Sequence, residues 1–276
     1  MARRFAIVMA VLVPLARQGN EPVTSRVKAA PSGEAPALSA VSLGTEHGCG
    51  LSTEGRAYCW GSNRLGQLGN DDPSSDRRSD AVRVATGETF VALSAGANHT
   101  CGVTRSGETL CWGLNLTGEL GQAIVANDCG GFPCSRRPVR VESRVRFDTV
   151  SAGFGHTCAL SGDRAFCWGR NDRGQLGSAR ASDECDGVAC NPSPVRVSGL
   201  GGFASISAGG DHTCGMAGGV AYCWGSNQYG QLGVETRVPA SARPLRVAER
   251  LVAIEARGIR TCGRTDRGQR VCWGGA

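Results

Sequence analysis

Apolar residues in this chain fall into short runs that recur at regular intervals. A run such as Phe90–Gly96 has the length of a buried β-strand, and further short strand-like runs follow it. Each repeat ends in a segment such as Arg137–Val141, where valine alternates with arginine. The pattern predicts about four short strands per repeat. The repeats begin near Leu38, Phe90, Phe147, Phe203 and Leu251.

The tripeptide Cys-Trp-Gly marks one point of every repeat and contains all five tryptophans. Its copies begin at Cys59, Cys111, Cys167, Cys223 and Cys272. A second cysteine precedes each copy, with successive offsets of 52, 57, 56 and 48 residues. Periods of this size indicate one supersecondary unit per repeat. Four-stranded units predict an all-β fold, a β-propeller with five recognisable blades over residues 38–276, the fifth incomplete.

The two cysteines of each repeat lie symmetrically about a predicted hairpin turn. Repeats three and four have Gly162-Asp163 and Gly218-Gly219 at the centre, which suit two-residue turns with positive φ. The other repeats are one residue longer and have glycine third, at Gly55, Gly107 and Gly268. Opposed residues are about 4.5–5.5 Å apart at Cα, within reach of a disulfide. We therefore predict the cross-strand disulfides Cys49–Cys59, Cys101–Cys111, Cys158–Cys167, Cys214–Cys223 and Cys262–Cys272.

The same hairpin register places every tryptophan opposite a small residue. Trp60 faces Gly48, and the other four tryptophans face threonines. A small neighbour leaves room for the indole to pack flat on the strand.

Four of the fourteen cysteines form Cys-x4-Cys motifs in variable loops, Cys129 with Cys134 and Cys185 with Cys190. Each pair can close locally as a disulfide. The alternative is a zinc site, whose ligands would have to meet across one blade period. We favour the disulfides, and seven regular pairs indicate an oxidising compartment.

The N-terminus has the features of a secretory signal. Arg3 and Arg4 precede an apolar run from Phe5 to Val13, and we assign residues 1–20 to a signal peptide, with an uncleaved anchor as the alternative. Residues 21–37 form a linker. Within it, Glu21–Val27 resembles the last strand of a blade, so it could complete repeat five and close the ring. The rival interpretation is a truncated array.

Charge and composition narrow the choice of partners. Of the 30 basic residues 29 are arginine, and they are scattered among 24 acidic residues, giving a net charge of +6 without a basic run. This favours a mixed soluble surface over one that binds nucleic acid. No stretch is long enough for a central transmembrane helix, so we expect no membrane insertion beyond the possible anchor.

Residues 38–276 resemble the regulator-of-chromosome-condensation propeller family. The resemblance rests on two motifs, Ala-Gly-x-x-His-Thr and then Trp-Gly-x-Asn-x-x-Gly-Gln-Leu-Gly. The second motif is complete at Trp60–Gly69, Trp168–Gly177 and Trp224–Gly233. Trp112–Gly121 has Glu119 for glutamine. The resemblance implies a propeller, although family members usually have seven blades. The hairpin disulfides fit a secreted bacterial branch better than the nuclear exchange factor, and no active residue of that factor is carried over.

Four histidines, His47, His99, His156 and His212, stand two residues before the first cysteine of their repeats. A ring of imidazoles around a channel could bind metal. We favour a structural role between blades, because matching carboxylate or thiolate ligands are lacking.

Exposed loops that vary between repeats are the candidate partner-binding sites. We predict one recognition face from residues 71–80, 123–137, 178–192 and 234–243. Phe132 with Arg136 and Arg137 is the expected anchor, since aromatic and arginine side chains dominate binding hot spots. Asp183 and Glu184 occupy the equivalent loop one blade later. The alternative is that these loops are merely solvated.

The sequence predicts no catalysis and no cofactor, because it contains no nucleophile elbow and no phosphate-binding glycine loop. The expected function is that of an exported, disulfide-stapled propeller that binds an unidentified protein in the periplasm, at the cell surface or outside the cell. One alternative is a regulator of a small GTPase resembling the guanine-nucleotide exchange factor. A second alternative is a metal-binding module that uses the Cys-x4-Cys loops.

Overall fold

The computed structural model describes residues 37–74, 76–125, 127–178, 183–235 and 238–275. These residues form β-strands and no α-helix, so the all-β prediction is confirmed. Within the described ranges, no helix is long and apolar enough to cross a membrane. The predicted signal or anchor and the predicted closing strand Glu21–Val27 lie outside the described residues, and both stay predictions.

Five antiparallel sheets follow one another along the chain, one for each repeat. The first contains β1 (Leu38–Leu43), β2 (His47–Ser52), β3 (Ala57–Ser62) and β4 (Arg77–Arg83). The second contains β5 (Phe90–Ala95), β6 (His99–Thr104), β7 (Thr109–Leu114), β8 (Asn127–Asp128) and β9 (Pro133–Arg140). The third contains β10 (Thr149–Ala152), β11 (His156–Ser161), β12 (Arg164–Arg170), β13 (Asp183–Cys185) and β14 (Val188–Arg196).

The fourth sheet contains β15 (Phe203–Ala208), β16 (His212–Ala217), β17 (Val220–Ser226) and β18 (Ala240–Arg246). The fifth has three strands among the described residues, β19 (Ala253–Arg257), β20 (Arg260–Arg264) and β21 (Arg270–Gly274). Each sheet is one blade of a β-propeller. The predicted repeats therefore correspond to the blades, with strands beginning within two residues of the predicted positions.

The central hairpin of every blade has the predicted register. The five disulfides join directly opposed residues, with Cα atoms 4.0–4.1 Å apart, slightly closer than expected. The turn glycines Gly55, Gly107 and Gly268 have φ between 80° and 82°, a conformation that residues with a Cβ rarely adopt. Trp60 lies opposite Gly48 and Trp168 opposite Thr157, as the spacing predicts.

Blades two and three carry an additional short strand, which the repeat pattern did not predict. The Cys-x4-Cys loops fold as hairpins in which β8 pairs with β9 and β13 pairs with β14. Their turns contain Gly130, Gly131 and Gly187 at positive φ. These glycines were the available sequence signal for a turn between two strands.

The tight loop after each tryptophan is held by its asparagine and its glutamine. In the first blade, the Asn63 side-chain carbonyl accepts a hydrogen bond from the Leu68 N–H at 3.2 Å, and the Gln67 side-chain carbonyl accepts one from the Leu65 N–H at 2.9 Å. Leu68 is thereby placed in the core beside Trp112 of the next blade. The core thus lies between blades, in four clusters that each combine residues of two successive blades.

Strands β1, β5, β10, β15 and β19 are the inner strands and line a common central cavity of about 640 Å³. Most of its lining residues are serine, alanine and glycine. Hydrogen bonds join each blade to the next from the first to the fifth. Among the described residues, none joins the fifth blade to the first.

Candidate partner-binding surfaces

The four repeated histidines bind the following blade rather than a shared ligand. Each imidazole Nε2 lies 2.8 Å from a threonine Oγ1 of the next blade, pairing His47 with Thr100, His99 with Thr157, His156 with Thr213 and His212 with Thr261. The imidazoles are buried between the sheets. Burial lowers the pKa of His47 and His212 to about 4 and that of His99 and His156 to about 3. The rings are therefore neutral at physiological pH and join blades.

These threonines, together with the tryptophan of the same blade, also bind the preceding blade. The Thr157 hydroxyl and the Trp168 indole N–H both donate to the main-chain carbonyl of Glu119, at 3.0 and 2.9 Å. In the other three junctions a glutamine carbonyl accepts both hydrogen bonds. These groups are thus occupied in holding the blades together and are not free for a ligand.

In the tight loop that follows Trp112, Glu119 stands where the corresponding loops of the first, third and fourth blades have glutamine. Its side-chain Oε2 accepts a hydrogen bond from the Thr117 N–H at 2.8 Å, and the side chain is buried. Burial raises the pKa of Glu119 to about 7, even though hydrogen bonds and the charge of Arg170 act in the opposite direction. The carboxyl group is therefore partly protonated near neutral pH.

In the structure, the cysteines of the Cys-x4-Cys motifs have partners other than a metal ion. Both Cys-x4-Cys pairs are closed as disulfides, with Cα atoms 5.9 Å apart, so their sulfur atoms are not thiolate ligands. Among the residues that the structure describes, no group of three or more histidine, cysteine, aspartate or glutamate side chains could hold a metal ion.

The hairpin β8–β9 carries the predicted anchor residues. Phe132 lies at its tip and exposes 48% of its surface. The Arg136 guanidinium donates to the Asp128 carbonyl at 3.1 Å, back across the hairpin. Arg137 forms an ion pair with Asp71 of the first blade, and this pairing lowers the pKa of Asp71. The structure therefore places Phe132, Arg136 and Arg137 on one hairpin, and Arg137 connects this hairpin to the neighbouring loop.

The hairpin β13–β14 repeats this arrangement on the third blade. Asp183 and Glu184 are exposed on β13. Cys134 pairs with Leu114 on β7, and Cys190 pairs with Arg170 on β12, which are equivalent ends of the two blades. The two hairpins therefore project from the same end of adjacent blades. Residues 75, 126, 179–182 and 236–237 of the four predicted loops lie outside the described residues, and the binding role of all four stays a prediction.

Glycine is required where the loop of one blade packs on the next. A Cβ at Gly118 would lie 2.5 Å from Cα of Pro192, and one at Gly66 would lie 2.9 Å from the Ser135 carbonyl. The repeated glycines thus allow each loop to lie directly against the outer strand of the following blade, which fixes the position of that blade's hairpin.

Comparison with protein families and known proteins relates this chain to propellers of one kind. Models of the regulator of chromosome condensation (RCC1) repeat match residues 54–103, 163–216 and 218–254, and a second model of the same repeat matches residues 39–67, 90–119 and 147–175. Together these matches span more than half of the chain.

Two curated relatives are similar over most of this chain. The probable human E3 ubiquitin-protein ligase HERC6 is 31% identical over 74% of this chain and 20% of its own length. The ultraviolet-B receptor UVR8 of Arabidopsis thaliana is 27% identical over 85% of this chain and 52% of its own length. The chain therefore spans about half of these relatives or less.

Two solved structures share the fold. Prp20p of Saccharomyces cerevisiae superposes with a TM-score of 0.71 at 22% identity, covering 89% of this chain and 57% of its own. Human WBSCR16 gives a TM-score of 0.75 at 18% identity, covering 87% of this chain and 63% of its own. At these identities the likeness establishes the fold alone.

Proposed function

The chain belongs to the RCC1 repeat family, and on that premise we propose that it is an exported propeller that binds a protein partner through its stapled hairpins and catalyses no reaction. Relatives with this repeat point to protein interaction in general. Prp20p, for example, has binding properties to Gsp1p and histones. The partner of the present chain is a protein of unknown identity.

Export is supported by the state of the cysteines. All fourteen are paired in seven disulfides. Such pairs persist in the periplasm or outside the cell, whereas the cytosol keeps thiols reduced. A cytosolic exchange factor would require the same cysteines as free thiols.

The proposed binding role rests on the position of the two stapled hairpins. β8–β9 and β13–β14 are closed by their own disulfides and project from the same end of adjacent blades. A closed hairpin loses little conformational entropy when it binds. One hairpin carries an exposed phenylalanine and two arginines, and the next carries two acidic residues, so the surface has both an apolar anchor and charges of each sign.

Affinity capture from the native extracellular or periplasmic fraction tests the binding surface. The bait variant Phe132→Ala/Arg136→Ala is compared with Phe154→Ala/Arg83→Ala, which removes an exposed phenylalanine and an exposed arginine elsewhere. A protein retained by the wild type and the control but lost by the hairpin variant supports the proposal. Equal retention by all three contradicts it.

The compartment is tested separately by alkylating the denatured, unreduced protein taken from its native location. Protection of all fourteen cysteines supports export. Reactive thiols contradict export and favour the exchange-factor alternative, which release of bound nucleotide from a captured GTPase would then measure.

A further inference from the structure

On the fifth blade, the sheet face turned away from the fourth blade is rich in arginine. Side chains alternate between the two faces of a strand. Trp273 and Thr261 point toward the fourth blade, because the indole N–H donates to the Gln231 carbonyl and the threonine hydroxyl bonds to His212. The opposite face carries Glu255, Arg257, Arg260, Cys262, Arg264, Arg270 and Cys272. We call Arg257, Arg260, Arg264 and Arg270 the arginine face.

The equivalent face of the other four blades packs against a following blade and has different residues. Arg260 stands where those blades have histidine. Arg264 stands where they have Leu51, Val103, Leu160 and Met216. Arg270 stands where they have Ala57, Thr109, Ala165 and Ala221. The fifth blade has thus exchanged residues that pack between sheets for residues that carry charge.

The four arginines are exposed and lie in two directly opposed pairs. Arg257 pairs with Arg260 across β19 and β20, and Arg264 pairs with Arg270 across β20 and β21. Like charges directly opposite each other destabilise a sheet. The ion pairs found between described residues include none of the four. Among the described residues, no carboxylate forms an ion pair with these arginines, and the same face also carries the acidic residue Glu255.

We propose that the arginine face binds an acidic polypeptide segment in an extended conformation. Arg260 and Arg264 are four residues apart on β20, which separates the two arginine pairs by roughly 13 Å. An extended chain presents side chains on one side every second residue, about 7 Å apart. Two carboxylates four residues apart therefore match the distance between the two arginine pairs. Each carboxylate can accept paired hydrogen bonds from a guanidinium group.

Features of the same face favour a polypeptide over a nucleic acid. It carries no aromatic side chain among the described residues of β19, β20 and β21, so bases have no surface on which to stack. Glu255 lies between the two arginine pairs; a glutamate side chain of a bound peptide can turn away from it, whereas the charges of a phosphodiester are fixed in its backbone. This site is separate from the stapled hairpins, and it holds whether or not they bind a partner.

Fluorescence anisotropy of the oxidised full chain with a labelled oligoglutamate peptide tests the proposal. An oligoglutamine peptide of the same length and an oligothymidylate serve as comparison probes. Arg264→Gln/Arg270→Gln is expected to weaken oligoglutamate binding about tenfold or more, since hydrogen bonds to charged groups are lost. Arg83→Gln/Arg246→Gln removes the same charge from exposed positions on β4 and β18, and it is expected to change the affinity less than about twofold.

Several results would overturn the assignment. An equal loss in both variants would mean that only net charge matters. Tighter binding of the oligothymidylate would make the face a nucleic-acid surface. A wild-type chain that does not distinguish glutamate from glutamine peptides, or a self-association that occupies the face, would also contradict it. Intact disulfides by mass and an unchanged circular-dichroism spectrum establish that each variant is folded.

Discussion

Glu119 shows how one substitution in a repeated loop changes the response of the fold to pH. The first, third and fourth blades have glutamine at this position, and its side-chain carbonyl accepts a hydrogen bond from a main-chain N–H. Glu119 keeps that hydrogen bond through Oε2 but adds a buried ionisable group. The buried histidines respond in the opposite sense, since burial lowers their pKa values to about 3 to 4. Below pH 6.5 the unfolded chain protonates its histidines while the folded chain does not, and stability falls.

Glu119→Gln is expected to stabilise the protein at alkaline pH. The folded-state pKa of Glu119 is raised from 4.5 to about 7, so the folded protein holds a proton that the unfolded chain releases. Wild-type stability from this group is therefore greatest below pH 4.5 and is lost as the pH rises through 7. The variant should be more stable by roughly 3 kcal/mol at pH 8 and nearly equal to wild type at pH 4.

Urea unfolding at several pH values between 4 and 8, with the disulfides intact, measures this difference. The exposed Glu142 provides the matched control, because Glu142→Gln removes a carboxylate without touching a junction. A difference between wild type and Glu119→Gln that stays constant with pH would show that the carboxyl group does not titrate as described.

At the scale of the element, the disulfide hairpin and the role of the histidines between blades were predictable, but the residues that the histidines bind were not. Cysteine spacing and turn glycines determine the register of each hairpin locally, so counting residues was sufficient. The His99–Thr157 bond joins residues 58 positions apart, and no spacing rule identifies threonine as the partner. Cysteine spacing does not indicate the strands β8 and β13, although Gly130, Gly131 and Gly187 in their loops are typical of turns. The binding roles of Phe132 and Glu184 depend on a partner outside the chain.

The hairpin disulfides differ in exposure, and this predicts the order in which they are reduced. Cys272 is exposed and Cys262 is half-buried, whereas both cysteines of the other four hairpin pairs are fully buried. Access to the sulfur limits attack by a reductant. Limited reduction of the folded protein, followed by alkylation and peptide mass mapping, should label Cys262 and Cys272 before those four pairs. Simultaneous opening of all five would contradict the prediction, and denaturant should abolish the order.

At the scale of the whole molecule, the two end blades present unlike surfaces. The first blade exposes 42% of Val41 and 59% of Leu43 on the face that in later blades receives the preceding blade. It also has Gly48 where later blades have the threonine that binds histidine. The fifth blade ends in the arginine face. Charged residues on this face disfavour the packing of an apolar sheet face against it.

Converting the fifth blade to an internal one should cause self-association. The variant Glu255→Ser/Arg260→His/Arg264→Met/Arg270→Ala gives these four positions the residues of the fourth blade, and the changed face can then pack on the first blade of another copy. Such a head-to-tail contact does not close, so oligomer size should grow with concentration, as measured by light scattering after gel filtration. Adding Leu43→Arg should reverse the growth. A variant that stays at the wild-type mass would show that charge on this face does not prevent self-association.

The hydrogen bonds between successive blades favour an order of assembly during synthesis and secretion. A blade can form its own hairpin and disulfide from a stretch of about ten residues as soon as that stretch is available. Its histidine finds a partner only when the next repeat arrives, and the new tryptophan then binds back to the earlier blade. Each repeat therefore completes the one made before it. If the chain emerges N-terminus first, its blades assemble in sequence order. A pause after any blade then leaves only the junction with the next blade without its hydrogen bonds.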